Sequence, residues 1–150
     1  MEELASLYCM LADDGRPRPL RLTSQSSTVT DTPPLLTEAA RFLTRDMLRA
    51  PSGYESVSDP DVTWKTGTSH GFRDAWAAGI RGDYVLVVWI GNFNGKANPA
   101  FVARECAAPL LFEVFGRLRL PRRPMIAPTS VEEVKLCAVS GQLPTPHCQH

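Results

Sequence analysis

The 150 residues are 43% apolar and 21% charged, proportions ordinary for globular protein that exclude wholesale disorder. Lys and Arg (16) balance Asp and Glu (16), so zero formal net charge gives no general reason to expect nucleic acid as a partner. No apolar run approaches the roughly 18 residues a membrane-spanning helix needs, and the opening Met1-Glu2-Glu3 is acidic where a signal peptide is basic.

Leu4, Leu7, Tyr8 and Leu11 recur at helical spacing and predict an amphipathic helix over Glu2 to Ala12, ended by Asp13-Asp14-Gly15. Leu20-Arg21-Leu22 reads as a short extended piece, and the Ser-, Thr- and Pro-rich stretch Thr23 to Pro34 as an exposed loop. A second helix is expected over Thr37 to Arg49, with Leu36, Ala40, Leu43 and Met47 on its buried side and Pro51-Ser52-Gly53 as its stop. Strands follow at Val62 to Ser69 and Tyr84 to Ile90. Between them, Gly71 to Ile80 is partly extended and Arg81-Gly82-Asp83 is a turn, which together fit a three-stranded antiparallel meander. Tyr84 to Ile90 is apolar at every position, as in a strand covered on both faces.

Asn92-Phe93-Asn94-Gly95 is a turn, and a long helix is expected over Pro99 to Leu118, kinked at Pro109. Arg117, Arg119, Arg122 and Arg123 then alternate with Leu and Pro, which marks residues 121–130 as a linker of solvated charge. The tail, 131–150, has a strand-like start at Val131 to Ala138 and a Ser-Gly-Gln-Leu-Pro turn, and is too short to fold alone. Cys9 and Cys106 fall in apolar helical stretches and read as small core residues. Cys137 and Cys148 flank a turn and suit a loop disulfide in an oxidising compartment; the zinc alternative, with His147 and His150, matches no standard ligand spacing.

Trp64-Lys65-Thr66-Gly67-Thr68-Ser69 carries the chemistry. An ammonium and hydroxyls on an exposed strand make an anion site suited to a carboxylate. Gly67 lacks a Cβ, so a ligand backbone can approach and add itself as an extra strand. The Thr68 N–H is then placed to stabilise a developing oxyanion. Lys65, Thr66, Gly67 and Thr68 are therefore the candidate substrate-binding residues, with Lys65 and Thr68 catalytic; no metal or cofactor is expected. Alone, the Lys-Thr-Gly triplet is a weak signal, and its bland reading is a solvated surface strand with a bulge.

The surrounding sequence is more specific. Lys65 to Gly79, with Phe72-Arg73-Asp74-Ala75-Trp76, and Tyr84 to Asn92 resemble class A penicillin-binding proteins of the 1C type. So do Leu4-Ala5-Ser6-Leu7-Tyr8, Leu11 to Arg16 and Ala107 to Phe112. The resemblance covers about residues 2 to 120, and the tail from Cys137 resembles the start of a small β-rich C-terminal domain.

It implies an α/β (α+β) fold: part of the serine β-lactamase and penicillin-binding transpeptidase fold, with an antiparallel sheet covered by helices. Residues 1–120 would be the C-terminal part of a transpeptidase domain. The implied activity is D,D-transpeptidation in peptidoglycan cross-linking, with stem peptides and β-lactams as ligands. Lys65 would orient the substrate carboxylate, Thr66 and Thr68 would help bind it, and the Thr68 amide would form half of an oxyanion hole. The chain contains no Ser-x-x-Lys and no Ser-x-Asn. The nucleophile is therefore expected upstream of Met1, with the rest of the transpeptidase domain, a glycosyltransferase and an inner-membrane anchor. On this reading the parent acts in the periplasm, and these residues alone are inactive.

The alternative is a non-catalytic domain that reuses the fold to hold stem peptides or partner proteins. A standalone D,D-peptidase or β-lactamase conflicts with the missing serine–lysine pair. Trp76 and Trp89 read as core or sheet-face aromatics, Arg73-Asp74 as support for the motif strand, and His70 as a solvated turn residue.

Overall fold

The computed structural model describes residues 1–21, 23, 32–49, 61–121 and 123–145. Leu22, most of the Ser/Thr/Pro loop, Pro51-Ser52-Gly53, His147, Cys148 and His150 lie outside them, and with them the proposed disulfide and zinc site. The described elements are helices α1 (Glu2–Ala12) and α2 (Glu38–Arg49), strands β1 (Thr63–Thr68), β2 (Asp74–Arg81) and β3 (Tyr84–Gly91), and helix α3 (Ala107–Arg117).

The strands form one antiparallel sheet in the order β1-β2-β3, the expected meander. Arg81 pairs with Tyr84 across the two-residue turn Gly82-Asp83, where Gly82 supplies the positive φ (57°) that a tight hairpin requires. Register puts Trp64, Thr66 and Thr68 on one face with Ala75, Ala77, Gly79, Leu86, Val88 and Ile90. That face meets α3, whose Ala107, Ala108, Leu111, Phe112 and Phe115 complete the core. Trp64 and Phe112 pack edge to face with ring centroids 5.0 Å apart. At Gly79 the helix comes close: a Cβ there would lie 3.2 Å from Phe115 and 3.3 Å from Leu111. Arg81 Nη1 donates to the Phe115 carbonyl at 2.7 Å, a cation at the C-terminal end of α3.

α2 lies against β1, where the Thr63 hydroxyl on the other face donates to the Arg45 carbonyl at 3.4 Å. α1 contacts α2, β2 and β3. Gly15, buried with φ 81°, closes α1 onto α2: its carbonyl accepts the Leu35 N–H at 2.8 Å, and a Cβ would run into Leu36.

Several expectations change. The buried side of α2 is not Leu43 and Met47, which are 46% and 69% exposed; Phe42, Leu48 and the stems of Arg41 and Arg45 are half-buried instead. Long arginine stems cover apolar surface as well as a leucine does, so helical periodicity alone misassigned the face. On α1, Leu11 is buried but Leu7 turns outward. α3 starts at Ala107 rather than Pro99, and the preceding residues form turns. Pro109 therefore sits in the first helical turn, where its missing N–H has no intrahelical acceptor to lose, and a kink has no cause. β3 is contacted by both α1 and α3, in line with its apolar run, but only Val88 is buried, and among the described residues β3 pairs with β2 alone. Val131 to Ala138 forms no strand, and Val134 and Leu136 remain exposed without a partner ladder. Residues 123–128 are nonetheless docked: Arg123 pairs with Asp83 at 2.7 Å, and Met125, Ile126 and Pro128 line a small cavity with Glu38, Phe42 and the Arg41 and Arg45 side chains.

Candidate functional site

β1 pairs with β2 only, so among the described residues its other side is an open sheet edge. The Ser69 N–H donates to the Asp74 carbonyl at 2.9 Å, which sets the parity of the ladder. Gly67 and Lys65 then turn their backbone groups toward β2, whereas Thr66 and Thr68 turn theirs outward along the edge. The Lys65 side chain agrees, because its Nζ curls back to the Thr66 carbonyl at 2.6 Å. The ammonium therefore sits at the sheet edge. Lys65 and Gly67 share one face while Thr66 and Thr68 share the other, as strand alternation predicted.

Lys65, Gly67 and Thr68 are exposed and Thr66 is half-buried. Nothing lies within 4 Å of the position a Gly67 Cβ would take, so the packing does not require glycine there. The Thr68 hydroxyl is not wholly free: it accepts the Ala103 N–H at 3.0 Å.

The end of β1 is braced by a tight reversal. Ser69 Oγ accepts the Asp74 N–H at 2.7 Å, and the Phe72 N–H donates to the Ser69 carbonyl at 3.1 Å. Gly71 and Phe72 both adopt positive φ (71° and 56°). Asp74 Oδ1 accepts the Trp89 Nε1–H at 2.9 Å, and the Trp76 and Trp89 rings sit 6.3 Å apart on the Lys65 face. The expected support from Arg73-Asp74 thus comes through Asp74; His70 and Arg73 are exposed.

Asn98 and Ala103 escaped sequence reasoning. Asn98 Oδ1 accepts the Ala100 N–H at 3.0 Å, and its own N–H donates to the Phe72 carbonyl at 2.9 Å. The Asn98-Pro99 dipeptide is a turn signal that points to Asn98, one residue before the helix expected from Pro99. Among the described residues, no group of three or more His, Cys, Asp or Glu side chains could hold a metal ion.

No family model matches the chain. Penicillin-binding protein 1C of Escherichia coli (strain K12) is 32% identical over 155 aligned residues, covering 95% of this chain and 19% of that protein. Penicillin-binding protein 1A of Clostridium botulinum (strain Langeland) is 34% identical over 125 residues, covering 77% of this chain and 15% of that protein. The chain thus spans less than a fifth of the length of these curated relatives. The crystal structure of penicillin-binding protein 1A from Haemophilus influenzae superimposes with a TM-score of 0.70 over 98% of this chain and 30% of that one. At 16% identity that likeness shows the fold. Over most of its length, then, the chain is a homologue of class A penicillin-binding proteins.

Proposed function

We propose that these residues supply the Lys-Thr-Gly strand of a peptidoglycan D,D-transpeptidase. The observation that carries this reading is the open edge of β1, where the Lys65 ammonium, the bare Cα of Gly67 and the outward N–H groups of Thr66 and Thr68 lie along one line. An extended peptide laid on that edge completes the missing ladder through its own backbone. Its terminal carboxylate meets Lys65 and the Thr68 hydroxyl, with Thr66 beside them; hydrogen bonds to a charged group contribute about 1.5–3 kcal/mol each.

In the reaction, a serine hydroxyl attacks the carbonyl of the penultimate D-Ala. The carbonyl oxygen takes up negative charge, and the Thr68 N–H is one donor to it. Collapse expels the terminal D-Ala and leaves an acyl-enzyme, which an amine of a second stem peptide resolves. The serine and its lysine come from outside these 150 residues, since no Ser-x-x-Lys occurs in them. Stem peptides and β-lactams are the ligands of this reading, and the periplasm is its site of action. No described helix is long and apolar enough to cross a membrane.

The test joins this chain to the polypeptide encoded immediately upstream and exposes the product to fluorescent penicillin. Covalent labelling that falls at least about ten-fold on Lys65→Ala is expected. Absence of labelling, with D-Ala-D-Ala peptides still bound, would favour the non-catalytic reading and overturn this one.

A further inference from the structure

We infer that the backbone N–H of Ala103 is a positioning group for the motif strand: it holds the Thr68 oxygen as an acceptor, so that the hydroxyl proton is presented to the substrate carboxylate. The inference rests on the carboxylate-binding reading of β1 and adds a residue to it. Thr68 Oγ1 lies 3.0 Å from the Ala103 nitrogen, across 35 positions of sequence. A threonine hydroxyl carries one proton and two acceptor sites. With an N–H directed into the oxygen, the proton is left to donate elsewhere, and it is polarised by the bond it accepts. Thr68 is exposed on an open edge, so a ligand can reach that proton.

Ala103 is rigid enough for the task. It is 1% exposed within the core, and its carbonyl accepts the Ala107 and Ala108 N–H groups at 3.0 and 2.9 Å. One residue therefore ties the first turn of α3 to the end of β1. The loop before it is shaped by Asn98, whose side-chain oxygen accepts the Ala100 N–H and whose carbonyl accepts the Phe101 N–H at 2.8 Å. Without this clamp the Thr68 side chain is free to sample other staggered rotamers, and its hydroxyl loses a fixed direction.

The experiment measures Kd for N-acetyl-D-Ala-D-Ala and for its C-terminal carboxamide on the full chain. Two perturbations are compared. Ala103→lactic acid exchanges the amide for an ester, removing the N–H while keeping the methyl; Asn98→Ala removes the turn acceptor, and Asn98→Asp restores it.

The wild type is expected to prefer the acid. The ester variant and Asn98→Ala each lose about ten-fold in affinity for the acid and little for the carboxamide, and Asn98→Asp regains the preference. Equal losses for both ligands, or an undiminished preference, overturn the inference and leave the reading of β1 standing. A wild type that does not distinguish acid from carboxamide overturns that reading, and this inference with it.

Discussion

Gly67 and Gly79 occupy the same sheet and predict opposite outcomes for the same substitution. A Cβ on Gly67 meets nothing within 4 Å, whereas one on Gly79 meets Phe115, Leu111 and the Thr63 carbonyl at 3.2–3.3 Å. Gly67→Ala should therefore leave the melting temperature unchanged while lowering affinity for a strand-adding peptide by about ten-fold. Gly79→Ala should cost about 1–3 kcal/mol of stability by overpacking, read from chemical denaturation. Equal effects on stability would mean that Gly67 is there for the fold. Asp74 provides a third contrast. Removing its carboxylate leaves the half-buried Trp89 N–H without its 2.9 Å acceptor, and Asp74→Ala is expected to destabilise by about 1–3 kcal/mol.

At the scale of elements, local signals were legible and distant ones were not. The three strands and the Gly82-Asp83 hairpin follow from period and turn chemistry within a few residues, and α1 and α2 ended close to where Gly15 and Arg49 suggested. The start of α3 did not follow, because Asn98 and the turns after it compete with the helix through side-chain-to-backbone bonds that composition does not reveal. The bond from Ala103 to Thr68 was invisible for a simpler reason: nothing in either segment signals that the other is beside it.

The docking of α1 has a pH signature. Burial pushes the Tyr8 phenol above its ordinary value near 10, so the folded state favours the neutral form. The stability this contributes is fully present below pH 10 and is lost as pH rises through the folded value. Urea midpoints should therefore fall above about pH 10, and Tyr8→Phe should flatten that part of the profile. A profile unchanged by Tyr8→Phe would mean that the phenol is solvated in the folded chain.

Over the whole molecule, one feature departs from a closed globule. Leu35, Leu43 and Met47 are 69%, 46% and 69% exposed around α2, and Leu7 projects from α1. Leu43 and Met47 stand one turn apart on α2, and exposed apolar side chains paired in this way bind hydrophobic dyes. The isolated chain should raise the fluorescence of such a dye under native conditions, and Leu43→Lys with Met47→Lys should suppress it without lowering the melting temperature. A sharp two-state melt with no dye binding would show this surface to be covered.

On the proposed function, the outer edge of β1 receives the carboxyl end of a peptide. Amide chemical shifts of the full chain, followed by NMR as N-acetyl-D-Ala-D-Ala is added, test it most directly. Changes concentrated at Thr66 and Thr68 are expected, far weaker with the C-terminal carboxamide and lost in Lys65→Ala. Changes that centre on α1 or α2, or that persist unaltered with the carboxamide, would contradict it.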